Sequence, residues 1–372
     1  MRIIIDARMY QESGVGRYIR NLIDQLQILD KFNEYYILHL LNEYDKLVYH
    51  TKFNKVLTNF NWYGINEQIK LPKILNQLNP DLVHFPHFNM PVFYKGKFVV
   101  TIHDLIHQHF QMKRATTLNP ILYKVKQFGY KAVFKKAIKN AQKILVPSNY
   151  VKDLLVKQWE VDGEKIIVTY EAVDDKVFSI GKLMKKNDEE KMLHKFNIKP
   201  PYIFYVGNAH PHKNVEGLIK ALLRLKENYP NLILVLSGQD HYFWQRIKRE
   251  NQYDGIIYTG YVSDEQLVAL YKNASCFVMP SFEEGFGIPL LEAMASGCPV
   301  VSSNAGALKE VGGDAAIYFD PHNMDDMTKK ISQVLNSEKL RKELTEKGLK
   351  RYKQFSWEKL AKQTLEVYSE CV

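Results

Sequence analysis

The chain is poor in cysteine. Its 372 residues hold three, Cys276, Cys298 and Cys371, an odd number with no paired spacing. A disulfide framework and a Cys/His zinc site are therefore not expected, and a reducing cytoplasm is the expected compartment. No apolar run approaches the roughly 20 residues of a membrane span. The first residues, Met1-Arg2-Ile3-Ile4-Ile5-Asp6-Ala7, carry too short an apolar run for a signal peptide and read as a first strand. There is no short-period repeat and no low-complexity tract. From Lys113 to Lys143 there is no Asp or Glu at all, against nine Lys or Arg. That stretch interleaves apolar residues at near-helical spacing, among them Ile121, Leu122, Val125, Phe128, Phe134 and Ile138. It reads either as a basic amphipathic surface for anionic lipid or as a core helix with a solvated lysine face. No nucleic-acid recognition motif accompanies the charge, so no nucleic-acid partner is expected.

The remaining composition is that of a soluble globular protein: 46% apolar, 25% charged and a net charge of +10. The length suffices for two domains, each with its own core. Strand-like and helix-like patterns alternate from end to end, which argues parallel sheets with crossover helices. Strands are expected at Arg2–Asp6, Tyr35–Leu40, Leu82–Phe85, Phe98–His103, Lys143–Val146 and Ile166–Thr169. A second series is expected at Tyr202–Val206, Leu232–Ser237, Ile256–Thr259, Cys276–Met279, Pro299–Ser302 and Ala316–Phe319. Helices fall at Val15–Leu29, Glu67–Leu78, Leu118–Asn140 and Tyr150–Trp159, with Pro72 expected to kink or split the second. The charged Ser179–Pro200 reads as the interdomain connection. The expected domains are residues 1–180 and 198–354, with a closing helix over 355–372 that packs back on the first. Open parallel sheets bind ligands beyond the C-terminal ends of their strands, so functional residues should sit just after strands.

The most informative such segment is Glu284-Gly285-Phe286-Gly287-Ile288-Pro289-Leu290-Leu291-Glu292. It follows a buried strand and opens a helix, Ile288 to Ser296, with Pro289 in the first turn. Gly285 and Gly287 let the backbone approach a ligand, and the helix N-terminus offers free N–H groups to an anion. Glu284 can accept sugar or ribose hydroxyls, and Glu292 lies about one turn into the helix. The same residues also read as an ordinary strand–helix turn with two solvated carboxylates, or as a glycosidase-like acid–base pair. The second series opens with Gly207-Asn208-Ala209-His210-Pro211-His212-Lys213-Asn214 after a strand. There Lys213 can serve as a point cation against a diphosphate. Ser263 and Gln266 form a capping-box signature, and the Val262 backbone beside it can border a nucleobase. In the first half, Gly14 and Gly16 precede a helix, but Ile19 stands where a dinucleotide fingerprint has its third glycine. His103 and Asp104 end a strand, as do His84 and His87, which read either as hydrogen-bonded strand-end histidines or as acceptor-side residues.

Taken together, these segments resemble a retaining glycosyltransferase of family 4, of mannosyltransferase-like type. The resemblance runs end to end and is strongest from Tyr202 to Pro321. It implies an α/β fold of the GT-B kind, two Rossmann-like parallel-sheet domains facing across a cleft. By that resemblance Glu284 and the backbone at Gly285, Phe286, Gly287 and Ile288 hold the donor sugar, Glu292 the ribose and Lys213 the phosphate. Asn208 stands where the family usually has an arginine. The family's glycine loop matches Gly14 and Gly16, and its cleft His-Asp pair matches His103 and Asp104. His103, Lys213 and Glu284 are then the expected catalytic residues, with Gly14, Gly16, Asp104, Asn208, Val262 and Glu292 binding substrate.

The implied reaction transfers a hexose, first mannose from GDP-mannose, to a glycan or lipid-linked acceptor in cell-surface polysaccharide synthesis. No metal and no cofactor is expected beyond the nucleotide-sugar itself. A nucleotide-sugar epimerase, a sugar phosphorylase and a binding subunit with a dead site are the alternatives. The expected location is the cytoplasm, with the basic segment as the surface for any contact with an anionic membrane.

Overall fold

The computed structural model describes residues 1–106 and 120–372. It divides into two compact units. The first holds Met1–Leu105, the chain from Pro120 to Glu171, and Ser356–Val372; the second holds Ala172–Phe355.

The first unit is built on a seven-stranded sheet. Its strands are β1 (Arg2–Asp6), β2 (Glu34–His39), β3 (Phe53–Leu57), β4 (Leu82–Phe85), β5 (Phe98–Thr101), β6 (Ile144–Val146) and β7 (Ile166–Val168). They lie in the order β3-β2-β1-β4-β5-β6-β7, every neighbour parallel. Ile3, Ile4 and Ile5 of β1 are all fully buried, as the central strand of a parallel sheet covered on both faces requires. The strand order reverses between β1 and β4, which makes their C-terminal ends the switch point of this sheet. The C-terminal helix, Trp357–Cys371, is capped by Ser356 and buries Leu360, Ala361, Thr364 and Tyr368 within this unit.

The second unit repeats the plan with six strands: β8 (Tyr202–Val206), β9 (Ile233–Ser237), β10 (Ile256–Gly260), β11 (Cys276–Met279), β12 (Val300–Ser303) and β13 (Ala316–Phe319). Their order is β10-β9-β8-β11-β12-β13, again parallel throughout. Here the switch point falls between β8 and β11, and the Gly207 and Glu284 loops follow those two strands.

Three features depart from the sequence expectation. Strand β3 was not anticipated: it is an edge strand, only partly buried, and its Lys55 and Asn54 break any apolar run. The helix Ile65–Leu78 is not split at Pro72. Leu71 and Leu75 beside it are fully buried in the core, and that packing outweighs the lost backbone bond. The charged segment read as a connection folds into two helices, Asp175–Leu183 and Lys186–Lys195, packed on the helix Asp264–Asn273. Its charge is used there: Glu189 pairs with Lys272 and accepts from Asn273 at 3.0 Å, while Lys272 donates to the Gly181 carbonyl at 3.0 Å.

Of the basic stretch, Lys113 and Arg114 lie outside the described residues. The helix Pro120–Asn140 buries Phe134, Ala137 and Ile138 and exposes Lys131, Lys135, Lys136 and Lys139. Phe128, one of the interleaved apolar residues, is 78% exposed. Among the described residues, no helix is long and apolar enough to cross a membrane.

Candidate functional site

In the second unit, the site grows from the two loops at the switch point. After β8, Gly207 takes φ +152, and its carbonyl accepts from Trp244 Nε1 at 3.2 Å. The Asn208 carbonyl accepts from the buried Tyr205 hydroxyl at 2.7 Å, and the Asn208 side-chain oxygen closes a turn onto the His210 N–H at 3.3 Å. One 3₁₀ turn, Pro211–Lys213, then delivers Lys213, and Asn214 ends it in the left-handed region at φ +54. The Asn214 amide donates to the Pro280 carbonyl at 3.1 Å, and the Phe282 N–H donates to the His212 carbonyl at 2.7 Å. These two bonds tie the β8 loop to the β11 loop, whatever the sequence distance between them.

That tie places Lys213 against Glu284. Lys213 Nζ donates to both Glu284 oxygens at 2.8 Å, and Ser281 Oγ donates to Oε1 at 2.6 Å. Glu284 is only 6% exposed, so its charge is held by these partners rather than by water. Its backbone is fixed as well. The Ala307 N–H donates to the Glu284 carbonyl at 3.0 Å, and Gly306 lies so close beneath that a Cβ there would sit 2.4 Å from that oxygen. The helix Ile288–Ala295 follows, with Pro289 in its first turn. Gly287 precedes it at φ +101, where an added Cβ would also meet Leu308 at 2.6 Å, so no other residue fits. Gly285, Phe286 and Ile288 are buried in the same turn.

Glu292 is one turn further on, buried in the helix face, where the Tyr271 hydroxyl donates to Oε2 at 3.0 Å. Val262 is buried beyond β10, next to the capping box formed by Ser263 and Gln266. β10 is two strands from β8, about 10 Å away across the sheet.

The first unit presents a second group at its own switch point and beside it. Gly14 and Gly16 form the first turn of the helix Gly14–Leu29. At Gly16 a Cβ would sit 2.5 Å from the Tyr10 carbonyl oxygen, so no larger residue fits, whereas Gly14 has nothing within 4 Å. His103 follows β5, with Asp104 next to it. Its Nδ1 lies 3.0 Å from Glu171 Oε1 and its Nε2 lies 2.9 Å from the Pro86 carbonyl. His84 is not a surface residue. It is fully buried on β4, between the Tyr368 hydroxyl at 2.6 Å and Thr101 Oγ1 at 2.8 Å, and burial with the nearby His103 charge pushes its pKa down to about 3.

Sequence reasoning missed Ser281, Asn214 as a brace, Gly306, Tyr271 and Glu171. Only Ser281 carried a local signal, a hydroxyl three residues before Glu284. The others reach their partners across 21 to 68 residues of chain or more.

Two family models match the chain: "Glycosyltransferase Family 4" over residues 13–177 and "Glycosyl transferases group 1" over residues 186–351. Escherichia coli O-antigen chain mannosyltransferase B is 29% identical over 387 residues, covering 96% of each chain. O-antigen chain mannosyltransferase RfbU of Salmonella typhimurium is 30% identical over 75% of this chain and 71% of its own. The crystal structure of a glycosyltransferase from Rickettsia africae ESF-5 superposes with a TM-score of 0.75 at 21% identity, covering 100% of this chain and 98% of that one. The chain belongs to the group 1, family 4 glycosyltransferases, and its two Rossmann-like parallel sheets are those of the GT-B fold.

Proposed function

We propose that this glycosyltransferase moves a hexose from a nucleotide-sugar to a glycan or lipid-linked acceptor in cell-surface polysaccharide synthesis, and that the donor is GDP-mannose. The observation that carries the reading is the Lys213–Glu284 pair, with Ser281, at the switch point of the second sheet. The mannosyltransferase names of its O-antigen relatives support the choice of sugar.

Two opposite needs arise when the bond from the sugar to the diphosphate breaks. Negative charge builds on the leaving phosphate and positive charge on the sugar. Lys213 supplies a cation held on a fixed loop, and the helix opened by Gly287 and Ile288 supplies N–H groups and the positive end of its dipole. Glu284, on the donor side, accepts sugar hydroxyls, and Glu292 accepts from the ribose. While no donor is present, the lysine and the carboxylate neutralise each other. A diphosphate competes for Nζ as hydroxyls compete for the carboxylate, so binding exchanges one saturated arrangement for another. In this reading no divalent cation is needed, the configuration at the transferred sugar is retained, and the leaving phosphate takes the acceptor's proton.

The first unit receives the acceptor, with Gly14 as its point of close backbone approach. The exposed Lys131, Lys135, Lys136 and Lys139, with Phe128 beside them, offer a surface for anionic lipid on the cytoplasmic side.

The test is release of GDP from GDP-mannose in the presence of excess chelator, with the anomeric configuration of the product read by NMR. Turnover that survives chelation and keeps the donor's configuration supports the proposal. Turnover abolished by chelation, or an epimerised free sugar without acceptor, overturns it.

A further inference from the structure

The two acceptors on His103 constrain its protons. Nε2 faces the Pro86 carbonyl at 2.9 Å, and a carbonyl can only accept, so Nε2 carries a hydrogen. Nδ1 faces Glu171 Oε1 at 3.0 Å, and two lone pairs at that distance repel, so a second proton lies between them. The His103–Glu171 pair therefore holds two protons. Neither ring nitrogen is left with a lone pair to take one from a substrate. The groups around the ring do not change this count. Tyr18 from the first helix packs edge-on at 4.9 Å, and burial raises its pKa, so it stays a neutral phenol. His84 on β4 is neutral, pushed down to about 3 by burial and by the His103 charge. Asp104, on the same loop, adds negative potential that favours the cation.

We propose that Glu171 is a positioning residue that keeps His103 doubly protonated, so that His103 serves the transferase as a fixed cation and not as a general base. Burial alone would lower the His103 pKa. The bond and charge of Glu171, then the Pro86 carbonyl and Asp104, outweigh it and leave the pKa raised. Glu171 opens the Glu171-Ala172-Val173-Asp174 stretch after β7 and is itself buried. It reaches across 68 residues of sequence to a histidine whose neighbours on β5 it never touches in the chain. The consequence for catalysis rests on the transferase reading above; the protonation state does not.

The experiment uses the full chain labelled with ¹⁵N-histidine, with the His103 signals assigned through H103N. In the native protein both ring nitrogens should be protonated at pH 7. In E171Q the amide can donate to Nδ1 of a neutral ring, so geometry is kept while the charge partner is lost. The His103 midpoint should then fall by about one to three pH units. The alkaline limb of kcat/KM for the nucleotide-sugar should move down with it. One unprotonated ring nitrogen in the native protein at pH 7 would overturn the proposal without any variant. So would an E171Q whose His103 midpoint stays in place. A midpoint that moves while the kcat/KM profile does not would overturn the catalytic part. If no sugar nucleotide is turned over at all, the transferase reading fails, and the NMR result still decides the proton count.

Discussion

Lys213→Met replaces a cation by an uncharged chain of similar length and leaves Glu284 with Ser281 as its remaining donor. At an effective dielectric of about 20, two unit charges at 2.8 Å attract by about 6 kcal/mol before any desolvation is counted. Breaking a fully buried pair costs about 3–5 kcal/mol, and breaking an exposed one about 0–1 kcal/mol. The Lys213 and Glu284 side chains are 18% and 7% exposed, so this pair lies between those limits, at about 2 kcal/mol. For a unit of this size each kcal/mol moves the melting midpoint by roughly 2–4 °C, which gives a fall of about 4–8 °C. The loss should come from stranding the carboxylate. K213M/E284Q, which strands nothing, should therefore recover at least about half of it. Activity should behave differently. K213M should lower kcat by about 10²–10³ through lost leaving-group stabilisation, and the double variant should not regain it. Calorimetry and a nucleoside-diphosphate release assay measure the two effects. A K213M protein that melts within about 1 °C of the native chain, with kcat within a factor of about three, would refute the reasoning.

The two glycines of the first helix should separate. Gly16→Ala drives a methyl against the Tyr10 carbonyl and should cost about 1–3 kcal/mol in urea unfolding, while Gly14→Ala should be stability-neutral and raise the acceptor KM if ligand passes there. Stability should also fall in mild acid. Burial takes the His39 pKa down to about 4 and that of His84 down to about 3, while the unfolded chain protonates near pH 6.5. Between those values the unfolded state binds more protons. The contribution is therefore full above about pH 6.5 and is lost as pH drops toward 4, so melting midpoints should decline over that window and H39Q should flatten the slope. His103 runs the other way: its pKa is raised, so its contribution is full below about pH 6.5 and fades as pH rises through the folded value, and E171Q should remove that alkaline loss.

Much of the fold was legible because parallel strands buried on both faces read as short apolar runs. Ile3-Ile4-Ile5 and Cys276-Phe277-Val278-Met279 need no partner to be recognised. Strand β3 escaped for the converse reason: it is half wet at the sheet edge, and only Tyr35 and its neighbours on β2 give it a register. Pro72 leaves its helix unsplit because Leu71 and Leu75 enter the core, which a local sequence cost does not include. At the site, Glu284, Lys213 and the glycine turn stood out by their place after strands. What could not be read was who holds them. Ser281 lies close in sequence, but Gly306 under Glu284, Tyr271 against Glu292 and Glu171 against His103 are consequences of sheet order. The pairing of Lys213 with Glu284 is likewise invisible in the sequence, because 71 residues separate them and each follows its own strand; the structure sets them against each other.

Binding of a nucleotide-sugar by the second unit through Lys213 and Glu284, as proposed, is open to direct measurement. Titration calorimetry with GDP-, UDP-, ADP- and dTDP-sugars, on the native chain and on E284A, tests it most directly. Saturable binding of GDP-mannose is expected, with about 2.7 kcal/mol of added stability at a hundredfold excess over Kd, and marked weakening in E284A. No binding of any nucleotide-sugar, or GDP-mannose binding that E284A leaves unchanged, would contradict it.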